Sequence, residues 1–292
     1  MPLTNKMNLP QPFVDAATSD HEYAEHRYSV TEVLGGTCEA ILKRRHDREI
    51  TEDVSQRIWA LFGTAVHKVL QEAEATDTQM QENWMSVQVD GDYELSGIFD
   101  LYDDSTGTVT DYKTCSVWKL QVGDFEDWHK QTLMYCWMLQ QLGFDAWNGE
   151  VVAIMRDHSM RKAKTEKEYP KHPVMRLEWH FSDKDMRDVE SDIQAWFAEV
   201  AHEENVEDDW LEPCSPEQRW HKPDKWAVMK DGRKRAVRVF EDEEEAVALL
   251  NSLKESDKGH HMEFREGEDT RCQSYCSVAQ FCPHGRKFFQ ET

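Results

Sequence analysis

Positive charge is scarce in this chain. Its 292 residues carry 34 Lys and Arg against 57 Asp and Glu, giving a net charge of −23 and a pI near 4.9. Averaged over the surface, that balance repels nucleic-acid phosphates. The charge is unevenly spread, however, and carboxylates are also what a hard divalent cation needs. Long apolar runs are missing too. No stretch approaches the roughly 18–20 residues of a membrane-spanning helix, and the opening MPLTNKMNLPQPF lacks the apolar centre of a secretory signal. The expectation is a protein of the bacterial or phage-infected cytoplasm, without a membrane partner. No internal repeat, long low-complexity linker or G-x-x-x-x-G-K-[ST] loop occurs, so nothing marks a motor that unwinds duplexes. The seven cysteines are an odd number, which argues against a disulfide framework in a reducing compartment.

What is present reads as an α/β protein. Residues 1–27 are polar and expected to be loosely ordered. Ser29 or Thr31 can cap a short helix with Glu32 in its first turn. Asp53 opens a helix reaching about residue 75, with Ile58, Leu61, Phe62, Val66, Val69 and Leu70 as an apolar stripe. Polar and apolar residues then alternate from about 82 to 116, with turns at 90–92 and 103–107. A helix over 125–143, strands over 149–157 and 173–182, and a helix from Ser182 to about 203 follow. Residues 205–265 read as an inserted ββα module, with a hairpin turning at Asp231-Gly232 and an acidic-capped helix at EDEEEAVALLNSL. Residues 266–292 form a terminal cysteine segment, all within one 1–292 domain.

The stretch TVTDYKTCS ends a β-branched run with Asp111 and Lys113, two apart and therefore on one face of a strand. Asp100 closes LSGIFD eleven residues earlier, and a hairpin between them would set the two carboxylates side by side. Carboxylates that close repel unless a cation neutralises them. His67 on the preceding helix can add a nitrogen, and this hard set suits Mg²⁺ or Mn²⁺. Gln131 and Tyr135, four apart, share a helix face.

In order, these residues give G-x-x-x-H at Gly63–His67, G-x-x-D at Gly97–Asp100, D-Y-K at Asp111–Lys113 and Q-x-x-x-Y at Gln131–Tyr135. The pattern resembles the PD-(D/E)XK nuclease superfamily, in particular its RecB-like branch. Phe99 stands where the family signature has Pro. The resemblance implies a restriction-endonuclease-like core, a mixed central sheet flanked by helices. It also implies metal binding by His67, Asp100, Asp111 and the Tyr112 carbonyl. Lys113 would position the attacking water, with Gln131 and Tyr135 supporting the site and the DNA backbone. The implied activity is a Mg²⁺- or Mn²⁺-dependent deoxyribonuclease, exonucleolytic rather than endonucleolytic, in recombination, repair or phage DNA processing. The alternatives are a CRISPR spacer-adaptation nuclease and a catalytically silent DNA-binding scaffold.

Near the C-terminus, RCQSYCSVAQFC sets Cys272, Cys276 and Cys282 within eleven residues. Thiolates so close converge on a metal or cluster. A fourth ligand could come from Cys38, Cys115, Cys136, Cys214 or His284. Some RecB-like nucleases, including AddB and the CRISPR-adaptation enzymes, resemble this layout, with one cysteine upstream of the nuclease motifs and three at the C-terminus. That resemblance implies a [4Fe-4S] cluster on Cys38, Cys272, Cys276 and Cys282 that staples the chain ends, with Zn²⁺ as the alternative. Here C-x3-C replaces the usual C-x2-C. Cys115, Cys136 and Cys214 then read as ordinary thiols. Arg219, Lys222, Lys225, Lys230, Arg233, Lys234, Arg235 and Arg238, interleaved with Trp220 and Trp226, suit a single-stranded DNA path. A second basic stretch, RKAKTEK, lies at 161–167. The expected substrate is DNA that is single-stranded or has free ends, delivered by a recombinase, helicase or integrase.

Overall fold

The computed structural model describes residues 2–18, 23–256 and 259–289. The chain divides into two compact units, Met1–Val206 and Glu207–Thr292. Within the stretch expected to be loose, Gln11–Ala17 form a helix, while residues 19–22 lie outside the described part.

The first unit is built on a six-stranded mixed sheet. Its strands are β1 (Arg27–Ser29), β2 (Gln79–Asp90), β3 (Tyr93–Asp103), β4 (Thr108–Cys115), β5 (Asn148–Met155) and β6 (Val174–His180). The order is β1-β3-β4-β5-β6, with β2 antiparallel on the other edge of β3. Pairs β1–β3 and β4–β5 are parallel, whereas β3–β4 and β5–β6 are antiparallel. The longest helices of the unit are α1 (Thr37–Arg45), α2 (Ile58–Gln71), α3 (Glu126–Gln141) and α4 (Asp183–Glu203). A mixed sheet flanked by helices is the restriction-endonuclease-like arrangement.

The core lies around α3. Leu133, Met134, Tyr135, Cys136, Trp137, Met138 and Leu139 are all buried with Tyr28, Phe99 and Tyr102 of the sheet. Helix α4 covers α3 with Met186, Val189, Ile193, Phe197 and Val200, the three-to-four spacing of one helical face. Ser182 starts α4 with a capping box, its side chain accepting from the Asp185 N–H while Asp185 reaches back to the Ser182 N–H. Ser29 does the same with Glu32 for the turn at Val30–Val33.

The helix expected to open at Asp53 begins instead as a tight 3₁₀ turn, Val54–Arg57, and ends at Gln71. Asp53 spends its carboxylate on the N–H and hydroxyl of Ser55, as well as on Lys6 and Thr4. The apolar stripe of α2 is not a core stripe. None of its side chains is fully buried, and Val69 is 69% exposed. Amphipathic spacing shows which face could be covered, not that a neighbour covers it. Trp59 instead lies under the Arg156 guanidinium, 4.3 Å from the ring centre.

The second unit carries β7 (Lys225–Lys230), β8 (Arg238–Phe240), α5 (Glu243–Ser256) and β9 (His260–Arg265). The chain between β7 and β8 is a seven-residue loop over 231–237, longer than the tight Asp231-Gly232 turn expected from sequence. Strand β9, absent from the sequence reading, pairs antiparallel with the other edge of β7. Val228, Phe240, Ala246 and Leu250 form the core of this small sheet and α5. The cysteine segment belongs to the same unit, where α6 (Thr270–Ser274) follows a two-residue pairing of 221–222 with 268–269.

These packing differences have a measurable consequence. Ile193→Ala, at a side chain with 0% exposure, is expected to cost about 2–5 kcal/mol. Val69→Ala should stay within about 0.5 kcal/mol. Thermal and urea unfolding of the two variants checks both, and a large loss from Val69→Ala would restore the buried-stripe reading of α2.

Candidate active site

Strands β3 and β4 pair as a hairpin only at its tip. The ladder runs Asp103↔Thr108, Tyr102↔Val109 and Leu101↔Thr110, then stops. One more step of that register would set Asp100 opposite Asp111. There the backbone bonding gives way to side chains, and the Tyr112 N–H donates to Asp100 Oδ2 at 2.6 Å. Farther back on β3, Glu94–Ser96 pair with β1. Residues 97–100 therefore span a window between the β1 and β4 ladders.

Helix α3 closes that window. A side chain at Gly97 would bring its Cβ to 2.7 Å from Tyr135 Cε1 and 3.3 Å from Val30 Cγ2. The glycine of the G-x-x-D motif thus reflects the close approach of the Tyr135 ring. Gly63 of the G-x-x-x-H motif is different, because a Cβ there would meet only Thr114 Oγ1 at an ordinary 3.6 Å.

The expected polar residues converge at the window. Lys113 Nζ lies 3.0 Å and 2.8 Å from the two oxygens of Asp111 and donates to Gln131 Oε1 at 2.7 Å. Gln131 Nε2 in turn donates to the Tyr135 hydroxyl at 3.2 Å. The relay therefore runs Tyr135, Gln131, Lys113, Asp111, and all but Lys113 are buried. From α2, His67 directs Nδ1 at Asp100 Oδ1, 3.0 Å away, while Nε2 lies 2.8 Å from the Tyr112 carbonyl oxygen. That carbonyl, expected as a metal ligand, here orients the imidazole.

One site residue carried no sequence signal. Glu82, on β2, lies with Oε1 3.8 Å from His67 Nδ1. Ligand atoms of His67, Glu82 and Asp100 lie within 4.8 Å of one another. Glu82 has φ +49°, an unusual value inside a strand. The β2–β3 pairs on either side are Gln81↔Leu101 and Asn83↔Phe99. The left-handed residue thus stands across from Asp100, and the local distortion aims its carboxylate at the window. Only the pairing register of β2 could have found it.

Beside the window is an open cleft of about 450 Å³ that includes Gly97, Tyr135, Arg27 and Arg44 in its walls. Trp84 and Ile98, paired across β2 and β3, are 57% and 49% exposed at its edge. Ile98 shares a strand face with Asp100, and Arg27 lies over Trp84 at 5.4 Å.

The basic and aromatic residues of 219–238 lie in the second unit. Arg219 bonds Asp269 and His284, Lys222 pairs with Glu268, and Lys225 pairs with Glu241. Trp220 rests on Tyr275, Trp226 on Phe264, and Arg238 over Phe240. Arg233, Lys234 and Arg235 are exposed on the 231–237 loop, while Lys230 ends β7, half-buried.

The sequence profile of the PD-(D/E)XK nuclease superfamily matches residues 18–283. The chain belongs to that superfamily. No curated protein matches it. Among solved structures, the crystal structure of SSO0001 aligns at 16% identity and TM-score 0.48, covering 67% of this chain and 85% of that one. A phage-related exonuclease from Haemophilus somnus 129PT aligns at 10% identity and TM-score 0.28, covering 58% and 74%. LHK-Exo in complex with dAMP aligns at 12% identity and TM-score 0.33, covering 60% and 91%.

Superfamily members usually use Mg²⁺ or Mn²⁺, and the residues present fit such an ion. The site concentrates buried carboxylates against an imidazole with one ammonium to offset them. Its protonation equilibria show the strain. Burial pushes Asp111 up to about 6; Lys113 opposes this and the Asp100 charge adds to it. Burial, then Asp100, raises Glu82. The Asp100 hydrogen bond holds His67 above the ordinary imidazole value against the opposing effect of burial. Burial first of all keeps the Tyr135 phenol protonated far above the usual range, so it meets Gln131 as a neutral hydroxyl.

Each of His67, Glu82 and Asp111 binds its proton more tightly when folded. Such a group stabilises the fold below its unfolded pKa and loses that contribution as pH rises through its folded pKa. For Asp111 the loss runs through about 6, and for His67 through its raised value. The metal-free PD-(D/E)XK chain is therefore expected to lose melting temperature as pH rises across this window. A divalent cation competes with the same protons. Mn²⁺ should raise the melting temperature more at pH about 8 than at about 5.5, and an equal rise at both would refute the assignment. In the same assay Gly97→Ala should destabilise by about 1–3 kcal/mol. Gly63→Ala, in a helix interior where the new methyl would make only an ordinary contact with Thr114 Oγ1, should gain about 0.5–1 kcal/mol.

Proposed function

We propose that this nuclease-superfamily chain is a Mg²⁺- or Mn²⁺-dependent deoxyribonuclease that hydrolyses phosphodiester bonds from free DNA ends. The observation that carries the reading is the convergence of His67, Glu82 and Asp100 beside Asp111 and Lys113 at one opened strand pairing. His67, Glu82, Asp100 and Asp111 would hold the ion. When bound, one or two such ions would make a nucleophile of water near neutral pH and offset charge on the phosphate.

The protein side of the reaction follows from the geometry. Lys113 is held from two sides, by Asp111 and by Gln131. Its ammonium is thereby fixed where it can hydrogen-bond the attacking water or a phosphate oxygen. Gln131 is held in turn by the neutral Tyr135 hydroxyl, so this side of the Lys113 ammonium is fixed by neutral groups. Trp84 and Ile98 offer an exposed platform on which an unstacked terminal base can rest. That favours attack at ends over cutting within a duplex. The basic and aromatic stretch 219–238 would add phosphate and stacking contacts, with Arg233, Lys234 and Arg235 the exposed cations.

With no unwinding motif, the enzyme would take single strands or ends supplied by a recombinase, helicase or integrase, in recombination, repair or phage DNA processing in the cytoplasm. The cysteine segment would hold a [4Fe-4S] cluster with a structural role.

The test is linear single-stranded and duplex DNA, labelled at either end, incubated with anaerobically purified protein and Mn²⁺ or Mg²⁺. Metal-dependent release of label from one end is expected. Lys113→Ala should lower the rate on the order of 10²–10³-fold. Glu82→Gln should do the same and also weaken Mn²⁺ binding measured by calorimetry. Wild-type protein that binds Mn²⁺ yet leaves every substrate intact would sink the nuclease reading.

A further inference from the structure

The basic stretch 161–167 takes no part in the site described above, and its surroundings set it apart in so acidic a chain. Between Arg156 and Lys167 five cations, Arg156, Arg161, Lys162, Lys164 and Lys167, stand against two carboxylates. One of the two, that of Asp157, is already engaged, accepting from the Val117 N–H at 2.7 Å. All five cations are exposed, and among the described residues none of them is in an ion pair. The second unit behaves differently, because Arg219, Lys222 and Lys225 each meet a carboxylate. The segment 156–167 therefore keeps a local positive potential that the chain as a whole lacks.

These cations are held on an ordered backbone. Met160–Thr165 form a short helix. It is fastened to the ends of β4 and β5, where Ala163 and Tyr169 are buried in one cluster with Cys115, Val117 and Met155. Ahead of the helix, the Tyr169 hydroxyl accepts from the Ser159 N–H at 2.8 Å. Behind it, Lys171 Nζ donates to the Ala163 and Glu166 carbonyls at 2.8 Å and 2.9 Å. A ligand that binds here has little loop entropy left to remove.

The register places the segment next to the site. In the parallel β4–β5 ladder Lys113 pairs with Ala153 and Cys115 with Met155. The Arg156 N–H then donates to the Cys115 carbonyl at 3.0 Å. Arg156 thus lies about 10 Å beyond Lys113 along the strand direction. Trp59, under the Arg156 guanidinium, precedes His67 on α2 by eight residues, or about 12 Å of helix. Its ring is 57% exposed even so. Trp118, on the short helix Val117–Val122 that follows β4, is 67% exposed. Across the sheet, the Trp84–Ile98 platform lies on β2 and β3, the carboxylates and Lys113 lie around β3 and β4, and the cations follow β5. The site therefore stands between two surfaces. Exposed cations with open aromatic rings among them suit a single strand, which offers phosphates to the first and unpaired bases to the second.

We propose that the DNA strand being cut runs from the Trp84–Ile98 platform across the site to Trp59, Trp118 and the cations of 156–167, which hold it beyond the bond under attack. This rests on the nuclease reading and deepens it by naming the strand's course and its single-stranded state. A duplex keeps its bases paired and gives the two tryptophans nothing to stack on.

The test is fluorescence anisotropy of a labelled thymidylate strand, and of a duplex of equal length, titrated with Lys113→Ala protein and Mn²⁺ so that the DNA survives. Adding Arg161→Ala, Lys162→Ala and Lys164→Ala together should weaken single-strand binding and make the slope of log affinity against log salt shallower by about 2. Adding Trp59→Ala or Trp118→Ala should weaken it about 5- to 150-fold and leave the slope unchanged. Lysine acetylation of the Lys113→Ala protein, read by mass spectrometry, guards against misfolded variants. Bound single strand should protect Lys162, Lys164 and Lys167, while Lys184 on α4 reacts as before. Unchanged affinity, slope and acetylation overturn the path and leave the nuclease reading standing. Duplex bound as tightly as single strand, with both tryptophan variants at parent affinity, overturns the single-strand assignment. Wild-type protein that cuts no strand while these losses and protections hold sinks the nuclease reading and supports the binding surface.

Discussion

Everything in the site depends on one interrupted strand pairing. Continuing the β3–β4 ladder past Leu101 and Thr110 would set Asp100 and Asp111, two buried like charges, directly opposite one another. The chain opens the ladder there and hands the work to side chains, with the Tyr112 N–H on Asp100 and Lys113 on Asp111. An opened ladder leaves polar backbone and carboxylates that need partners. Helix α3 supplies Gln131 and Tyr135 from one side, and α2 supplies His67 from another. The supporting fold is arranged around that opening. A parallel β4–β5 ladder, all eight residues of β4 in register, fixes the far edge. The buried α3–α4 pair holds the Tyr135 ring against Gly97.

Electrostatics gives the opening its chemical character. Three carboxylates, one imidazole and one ammonium meet in a region shielded from water, and neither the protonated nor the ionised state satisfies all of them. Burial raises Asp111 and Glu82 while their mutual proximity to Asp100 adds to the cost. A divalent cation would resolve the conflict by replacing protons with a fixed charge. The strongly acidic sequence and a phosphate-directed chemistry are compatible for this reason, because the acid that matters locally is the kind that recruits the cation.

Much of this was legible in the sequence. The two-residue spacing of Asp111 and Lys113, the eleven-residue hairpin back to Asp100 and the four-residue step from Gln131 to Tyr135 are periodicities of strand and helix. The structure brings those residues together with His67. Features set by long-range register were not legible. Glu82 faces Asp100 only because β2 pairs along the whole of β3 with one residue turned left-handed. The open face of α2 misled the sequence reading in the opposite direction, since its apolar spacing is regular but no neighbour buries it. Strand β9 was missed because HHMEFR carries mixed polarity, and its place beside β7 is a tertiary pairing.

The sparse burial of α2 has a consequence for how the site comes together. Asp100, Asp111 and Lys113 sit on a short hairpin, so their contacts are local and cheap in loop entropy. His67 arrives on a helix with no fully buried side chain, tied down chiefly by its own polar bonds. Elements with few buried apolar contacts open at low free energy. The carboxylate hairpin is therefore the permanent half of the site, and the imidazole helix is the hinged half. An ion held by residues of both halves would favour the closed assembly.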